Sequence, residues 1–231
     1  MISSQDIAEN LADVESRVEI AAKADGRLAD DVNLIAVSKT KPAPLIHAAL
    51  STGHRLFGEN RLQEAEEKWP ALREEFSNVR LHLIGPLQRN KVKRSLQLFD
   101  AIQTVDRPKL ATALAREIDA SGLRPDCYLQ VNTGEEVQKS GVTPGELDAF
   151  VALCRDELEL PVRGLMCLPP KTEEPALHFG LLRELAKRNG LEDLSMGMTA
   201  DFETAIRFGA TVVRVGTAIF GERAPLSTNP D

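Results

Sequence analysis

The sequence predicts a single (β/α)8 barrel of the TIM type, preceded by one extra N-terminal helix. Three observations predict it. Eight short apolar runs alternate with helical patterns along the 231 residues, and no Ser/Gly-rich linker or low-complexity tract interrupts them. Strands alternating with helices build βαβ units and a parallel sheet, and eight such units in this length match a closed barrel. No Gly-x-Gly-x-x-Gly follows the first strand, so the doubly wound open sheet, which needs fewer strands, is the runner-up.

The opening helix is expected over 5–23, where Ile7, Leu11, Val14, Val18 and Ile20 recur at helical spacing and Ser4 is a plausible cap. Strands are expected at 33–38, 55–57, 81–84, 101–105, 127–131, 162–166, 193–196 and 212–215. The helical patterns between them cover 44–51, 61–75, 89–98, 108–121, 143–157, 173–189 and 201–208. The whole of 1–231 reads as one domain, with its core over about 30–222 and a loose tail at 226–231.

With 42% hydrophobic residues the chain can bury a substantial core, and 4% aromatics make that packing aliphatic. A net charge of -7 without a long basic run argues against nucleic-acid binding, which needs a concentrated cationic surface. The three cysteines, Cys127, Cys154 and Cys167, are widely spaced and odd in number. Neither a zinc site nor a disulfide framework is expected from them, and a reducing cytoplasm fits best. The N-terminus lacks a signal-peptide pattern and no apolar run reaches membrane-spanning length. A cytoplasmic protein is expected, with a monomer favoured and no membrane or metal.

Chemistry in a parallel barrel belongs at the C-terminal ends of its strands. The first strand ends in Ser38-Lys39-Thr40-Lys41-Pro42. A lysine there loses part of its solvent shell, which frees the amine to attack a carbonyl, so Schiff-base chemistry is the first hypothesis for Lys39. On this segment alone an ordinary solvated lysine is the better reading.

Barrels of this class commonly hold a phosphate in the loops after strands 7 and 8, at the N-terminus of a short extra helix. After strand 7 comes Ser195-Met196-Gly197-Met198-Thr199-Ala200-Asp201, and after strand 8 Gly216-Thr217-Ala218-Ile219-Phe220-Gly221. Gly197 lets backbone approach a ligand, Ser195 and Thr199 supply hydroxyls, and the second segment is long enough for one N–H-presenting turn. Each loop alone reads as a tight turn with a capping hydroxyl. Together, at the two expected positions, they put phosphate binding ahead. Arg214 lies inside the apolar run Val212-Val213-Arg214-Val215 and must find an acceptor, either a carboxylate such as Asp201 or Glu203 or a ligand in the mouth. His82, within strand 3, reads as a core histidine.

These segments closely resemble the pyridoxal-phosphate homeostasis protein family. The matching pieces include Ala36-Val37-Ser38-Lys39-Thr40-Lys41-Pro42, Phe57-Gly58-Glu59-Asn60, His82-Leu83-Ile84-Gly85-Pro86-Leu87-Gln88-Arg89-Asn90-Lys91, Lys139-Ser140-Gly141, Leu194-Ser195-Met196-Gly197-Met198 and Val213-Arg214-Val215-Gly216-Thr217. They run in family order over about residues 33 to 222.

The resemblance implies a barrel like the N-terminal domain of alanine racemase, with pyridoxal 5'-phosphate (PLP) in its mouth as an aldimine of Lys39. It implies that Arg214 faces the pyridine nitrogen, that Ser195, Gly197, Met198, Gly216 and Thr217 lie on the phosphate side, and that Asn60 lies near the ring. Arg61 stands where an aromatic residue is usual and removes a possible aromatic neighbour of the site. Thr199 replaces a usual serine and keeps its hydroxyl.

A guanidinium opposite the pyridine nitrogen disfavours its protonation and weakens the ring as an electron sink. No second base is evident, since the only tyrosine, Tyr128, begins strand 5. The expected function is therefore a cofactor carrier in intracellular PLP homeostasis, with PLP-dependent apo-enzymes as possible recipients and no efficient catalysis. The alternatives are a PLP-dependent amino-acid racemase, a barrel aldolase using Lys39 without PLP, and an interaction protein with a vestigial mouth.

Overall fold

The structure, a computed structural model, describes residues 2–222, so the expected tail at 226–231 lies outside the described residues. Helix α1 (Ser4–Ala24) comes first, and β1 (Asn33–Val37) begins the alternation. It continues through α2 (Ala43–Ser51), β2 (Leu56–Glu59), α3 (Leu62–Glu75), β3 (Arg80–Leu83) and α4 (Val92–Leu98). Next come β4 (Ala101–Val105), α5 (Pro108–Ser121), β5 (Asp126–Val131), α6 (Leu147–Ala152) and β6 (Val162–Cys167). The series closes with α7 (Pro175–Arg188), β7 (Asp193–Met198), α8 (Phe202–Arg207), β8 (Val212–Val215) and the short α9 (Thr217–Phe220). The eight strands form a closed parallel barrel in chain order, with β1 paired to β8 in the register Ile35 to Arg214.

Side-chain alternation sorts each strand into two sets. The outward set, including Leu34, Ala36, Phe57, Leu81, Leu129, Leu165 and Val213, packs against the helices in one continuous apolar layer. The inward set, including Ile35, Val37, Ala101, Tyr128, Met166 and Val212, forms a smaller cluster inside the barrel. Helix α1 buries Ile7, Leu11, Val14, Val18, Ala21 and Ala22 and packs over α2, α8 and α9. Arg17 ties it to Glu203 at 2.8 Å, and Asn10 Nδ2 donates to the Ile219 carbonyl of α9 at 3.0 Å.

Several boundaries differ from expectation for local reasons. Ser3, and not Ser4, caps α1: its hydroxyl accepts from the Asp6 N–H while the Asp6 carboxylate accepts from the Ser3 N–H, a reciprocal capping box. Strand β2 runs through Gly58 and Glu59, because both stay in parallel register with β3, opposite His82 and Leu83. Strand β7 reaches Met198 across a register shift against β8, so Gly197 lies within an irregular strand end. A 3-10 turn (Arg89–Lys91) precedes α4, and a π-type turn (Leu153–Glu157) extends α6. Among the described residues, no helix is long and apolar enough to cross a membrane.

Candidate functional site

At the end of β1, Ile35 and Val37 point inward, and Lys39 continues that series at the C-terminal mouth, half-buried. Ser38 points outward, where its hydroxyl donates to Glu59 Oε1 at 2.8 Å. Thr40 adopts a left-handed backbone (φ 61°), unfavourable for a β-branched residue, and its N–H donates to the Glu64 carboxylate.

Lys68 of α3 straps this loop from behind. Its Nζ donates to the Ser38 carbonyl at 3.1 Å and the Lys41 carbonyl at 3.3 Å, and pairs with Glu59 at 2.7 Å and Glu64 at 2.8 Å. Glu59 is wholly buried, and burial raises its pKa, opposed by Lys68 and by the Ser38 hydroxyl. Lys41 turns away from the mouth. Its Nζ donates to the carbonyls of Phe220, Gly221 and Glu222 at 2.8–2.9 Å, which joins the lysine loop to the end of α9.

The loops after β7 and β8 converge beside this one. Gly216 lies against β1: a Cβ there would stand 3.3 Å from Val37 Cβ. The Thr217 hydroxyl donates to Thr199 Oγ1 at 3.1 Å, and the Gly216 N–H reaches the same oxygen at 3.4 Å. Thr217 and Ala218 open α9, so their N–H groups have no acceptor within the helix. Gly197 has φ 90°, and a Cβ there would stand 2.6 Å from the Ala205 methyl, so glycine is required on both counts. The exposed Met198 donates its N–H to Asp201 Oδ1 at 2.6 Å.

Arg214 is only 4% exposed and points into the barrel. Of the two carboxylates considered for it, Glu203 pairs with Arg17 and Asp201 accepts from Met198. The guanidinium donates instead to Ser195 Oγ at 2.5 Å and to the Cys167 carbonyl at 2.9 Å. Burial pushes its pKa down to about 10, which leaves it charged at neutral pH. Ser195 thus departs from the phosphate-side expectation, because its hydroxyl is fully buried within the barrel and engaged by Arg214 and by Gln103 at 2.7 Å.

Asn60 is half-buried at the end of β2 and, with Arg61, Gln88, Lys91 and Arg107, lines a cleft of about 450 Å³ on the same face. His82 is buried, as expected of a core histidine, and its partner Gln103 was not singled out from the sequence. Both are polar residues inside apolar strand runs, the same signal that singled out Arg214. His82 Nδ1 lies 2.9 Å from Gln103 Nε2, and burial pushes the imidazole down to about 3. A cleft of about 760 Å³ opens at the opposite end of the barrel, lined by Arg80, His82, Asp126, Tyr128, Arg163 and Asp193 among others. Strand N-termini form that end, where barrels invest in stability and not in chemistry.

Residues 2–224 match the family described as "Alanine racemase, N-terminal domain". Pyridoxal phosphate homeostasis protein of Pseudomonas aeruginosa is 46% identical over 223 residues, covering 94% of this chain and 96% of the relative. The protein of that name from Escherichia coli K12 is 39% identical over 227 residues, covering 94% and 97%. Among solved structures, PipY of Synechococcus elongatus PCC7942 with PLP bound superposes with a TM-score of 0.78 at 36% identity, covering 93% of this chain and 100% of that one. Alanine racemase from Corynebacterium glutamicum shares the fold at a TM-score of 0.66 and 20% identity, covering 99% of this chain and 64% of the racemase. On this evidence the chain belongs to the pyridoxal phosphate homeostasis protein family.

Proposed function

We propose that this protein is a PLP carrier, which holds the cofactor covalently through Lys39 and buffers it or hands it on to PLP-dependent apo-enzymes in the cytoplasm. The observation that carries the reading is the convergence, at one barrel mouth, of a strapped lysine, a hydroxyl-lined turn and a buried guanidinium. Relatives of high coverage bear the homeostasis name, and PipY at 36% identity has been solved with PLP bound.

The residues present fit the group. When bound, PLP supplies an aldehyde that a lysine amine can attack and a phosphate that needs hydrogen-bond donors. Thr199, Thr217 and the first N–H groups of α9 receive the phosphate, in the manner of a helix N-terminus. Gly197 and Gly216 keep the walls of that cradle low. The Glu59–Lys68–Glu64 cluster holds the Lys39 loop in one geometry. Arg214 presents a fixed positive charge toward the mouth, which disfavours adding a proton to a ring nitrogen placed before it. Asn60 stands at the ring side of the mouth.

Efficient racemase chemistry is not part of the proposal. Tyr128, the only tyrosine, lies at the opposite end of the barrel, where its hydroxyl donates to Asp193 at 3.1 Å and burial raises its pKa. The three cysteines are buried free thiols, and burial pushes each up to about 12, so none is a ready nucleophile in this proposal.

The test is an absorbance spectrum of the purified, PLP-loaded protein before and after borohydride, followed by peptide mapping. A yellow protein that bleaches on reduction and carries the label on Lys39 is expected. Label found chiefly on Lys41 or Lys91, or none on the protein, overturns the proposal.

A further inference from the structure

Four polar side chains run in hydrogen-bonded series through the barrel interior. Arg214 on β8 donates to Ser195 Oγ on β7 at 2.5 Å, Ser195 lies 2.7 Å from Gln103 Oε1 on β4, and Gln103 Nε2 lies 2.9 Å from His82 Nδ1 on β3. Each is 4% exposed or less. Polar groups this deep inside an apolar cluster are costly unless every link is satisfied, so the series is a built feature.

Its direction follows from the first member. A guanidinium only donates, so Ser195 Oγ accepts from Arg214 and spends its one proton on the Gln103 carbonyl oxygen. The opposite amide setting gives Ser195 two donors and leaves its own proton without an acceptor in the series. Gln103 then offers its NH₂ to His82 Nδ1, which must accept, and the imidazole proton sits on Nε2. That atom is buried without a protein partner and belongs to a side chain lining the cleft at the opposite mouth.

We propose that Gln103 and His82 are positioning residues for the cofactor end of the barrel: acting through Ser195, they aim the Arg214 guanidinium at the mouth and keep its charge there. This rests on the carrier reading given above. Both recorded acceptors of Arg214, a hydroxyl and a backbone carbonyl, are neutral. The buried charge is therefore hydrogen-bonded by oriented dipoles and by no carboxylate; Asp201, whose charge acts on it through space, is bonded to the Met198 N–H instead. A side-chain amide does not pass a proton along, so Gln103 polarises the series without conducting, and Arg214 cannot shed its proton toward His82. The result is a guanidinium that stays positive facing the pyridine nitrogen.

Four measurements on the full chain test this. In the PLP-free wild-type protein at pH 7, ¹⁵N NMR of the histidine side chains is expected to show His82 neutral with its proton on Nε2. In Gln103→Glu the new carboxylate accepts from both neighbours, so the His82 proton is expected on Nδ1. When Gln103→Glu is loaded with PLP labelled at the pyridine nitrogen, that resonance is expected to move toward its protonated position, because a carboxylate now offsets Arg214.

A second variant, Gln103→Met, keeps the volume and removes both hydrogen bonds. It is expected to weaken PLP about tenfold with unchanged circular dichroism. A wild-type His82 protonated on Nδ1, a pyridine resonance identical in wild type and Gln103→Glu, or an unchanged affinity in Gln103→Met overturns the proposal. If wild-type protein takes up no PLP at Lys39, the carrier reading fails, while the His82 tautomer in the PLP-free protein still decides the direction of the series.

Discussion

At the N-terminal mouth of the barrel Arg80 and Arg163 share Asp126, at 3.1 and 3.5 Å, and Tyr128 and Thr211 both donate to Asp193, at 3.1 and 3.3 Å. At the C-terminal mouth Thr199, whose oxygen accepts from Thr217, and the opening N–H groups of α9, which have no acceptor within the helix, bring hydroxyl and amide donors together, and the nearby Asp201 is turned onto the Met198 N–H. Opposite charges alternate at the first mouth and satisfy one another. Donors of one sense accumulate at the second. A mouth that closes on itself stabilises the fold, whereas a mouth that gathers donors calls for an outside acceptor.

The comparison breaks first at Lys39. Lys39→Ala is expected to abolish covalent PLP uptake and the yellow absorbance while leaving the fold intact, since it removes a half-buried side chain at the mouth and opens no core cavity. Retained borohydride-fixed label in that variant, with Lys41 as the new site, would mean that the clamp on α9 is looser than its three carbonyl contacts indicate.

Lys68→Met carries the next effect. It leaves the buried Glu59 carboxylate without its cation, a loss on the order of 3 kcal/mol for a buried pair. Glu59 already titrates above its ordinary 4.5 in the folded protein. Between that value and its folded pKa the folded state binds more protons than the unfolded chain, so stability falls as pH rises through the window. Removing Lys68 raises the folded pKa further and widens the window upward. Thermal melts of wild type and variant at pH 5 and 7.5 check this: the variant's deficit should be larger at pH 7.5. A deficit independent of pH would remove Glu59 as its cause.

Thr217→Val sharpens the comparison within the C-terminal mouth. Hydrogen bonds to a charged group are worth roughly 1.5–3 kcal/mol, which corresponds to about a 10- to 100-fold loss of PLP affinity. Pyridoxal, lacking the phosphate, should bind variant and wild type alike in the same titration. Tyr128→Phe, at the other mouth, should cost about 1 kcal/mol of stability or less and leave PLP affinity unchanged. An affinity change there would mean that the two ends are not separate.

Much of the barrel was legible because each strand announced itself locally, as a short apolar run between helical patterns. That Lys39, Gly216 and Thr217 lie at the C-terminal mouth was legible because position along a barrel strand assigns an end and a face. Ser195 was misplaced by one step of that logic: it lies inside β7 and points inward, so its hydroxyl serves Arg214. The partnerships of Gln103 with Ser195, and of Lys68 with the Ser38 carbonyl, link residues far apart in the chain and leave no periodic mark. Inward parity alone could have pointed to Gln103, since an amide in the run Ala101-Ile102-Gln103-Thr104-Val105 needs a buried partner. Which partner it finds depends on barrel closure.

The Lys41 clamp has a kinetic meaning. By fastening the lysine loop to the end of α9, it fixes the distance between Lys39 and the opening turn of α9, the covalent anchor and the phosphate grip of the proposed carrier. Two attachments held at a fixed span behave as a bivalent tether: when one opens, the other keeps the loose end at high local concentration, and reattachment outruns escape. On the proposed reading, departure requires both to be open at once, so the residence time of PLP is expected to depend on how firmly one ammonium group holds three carbonyl oxygens at the end of a four-residue helix.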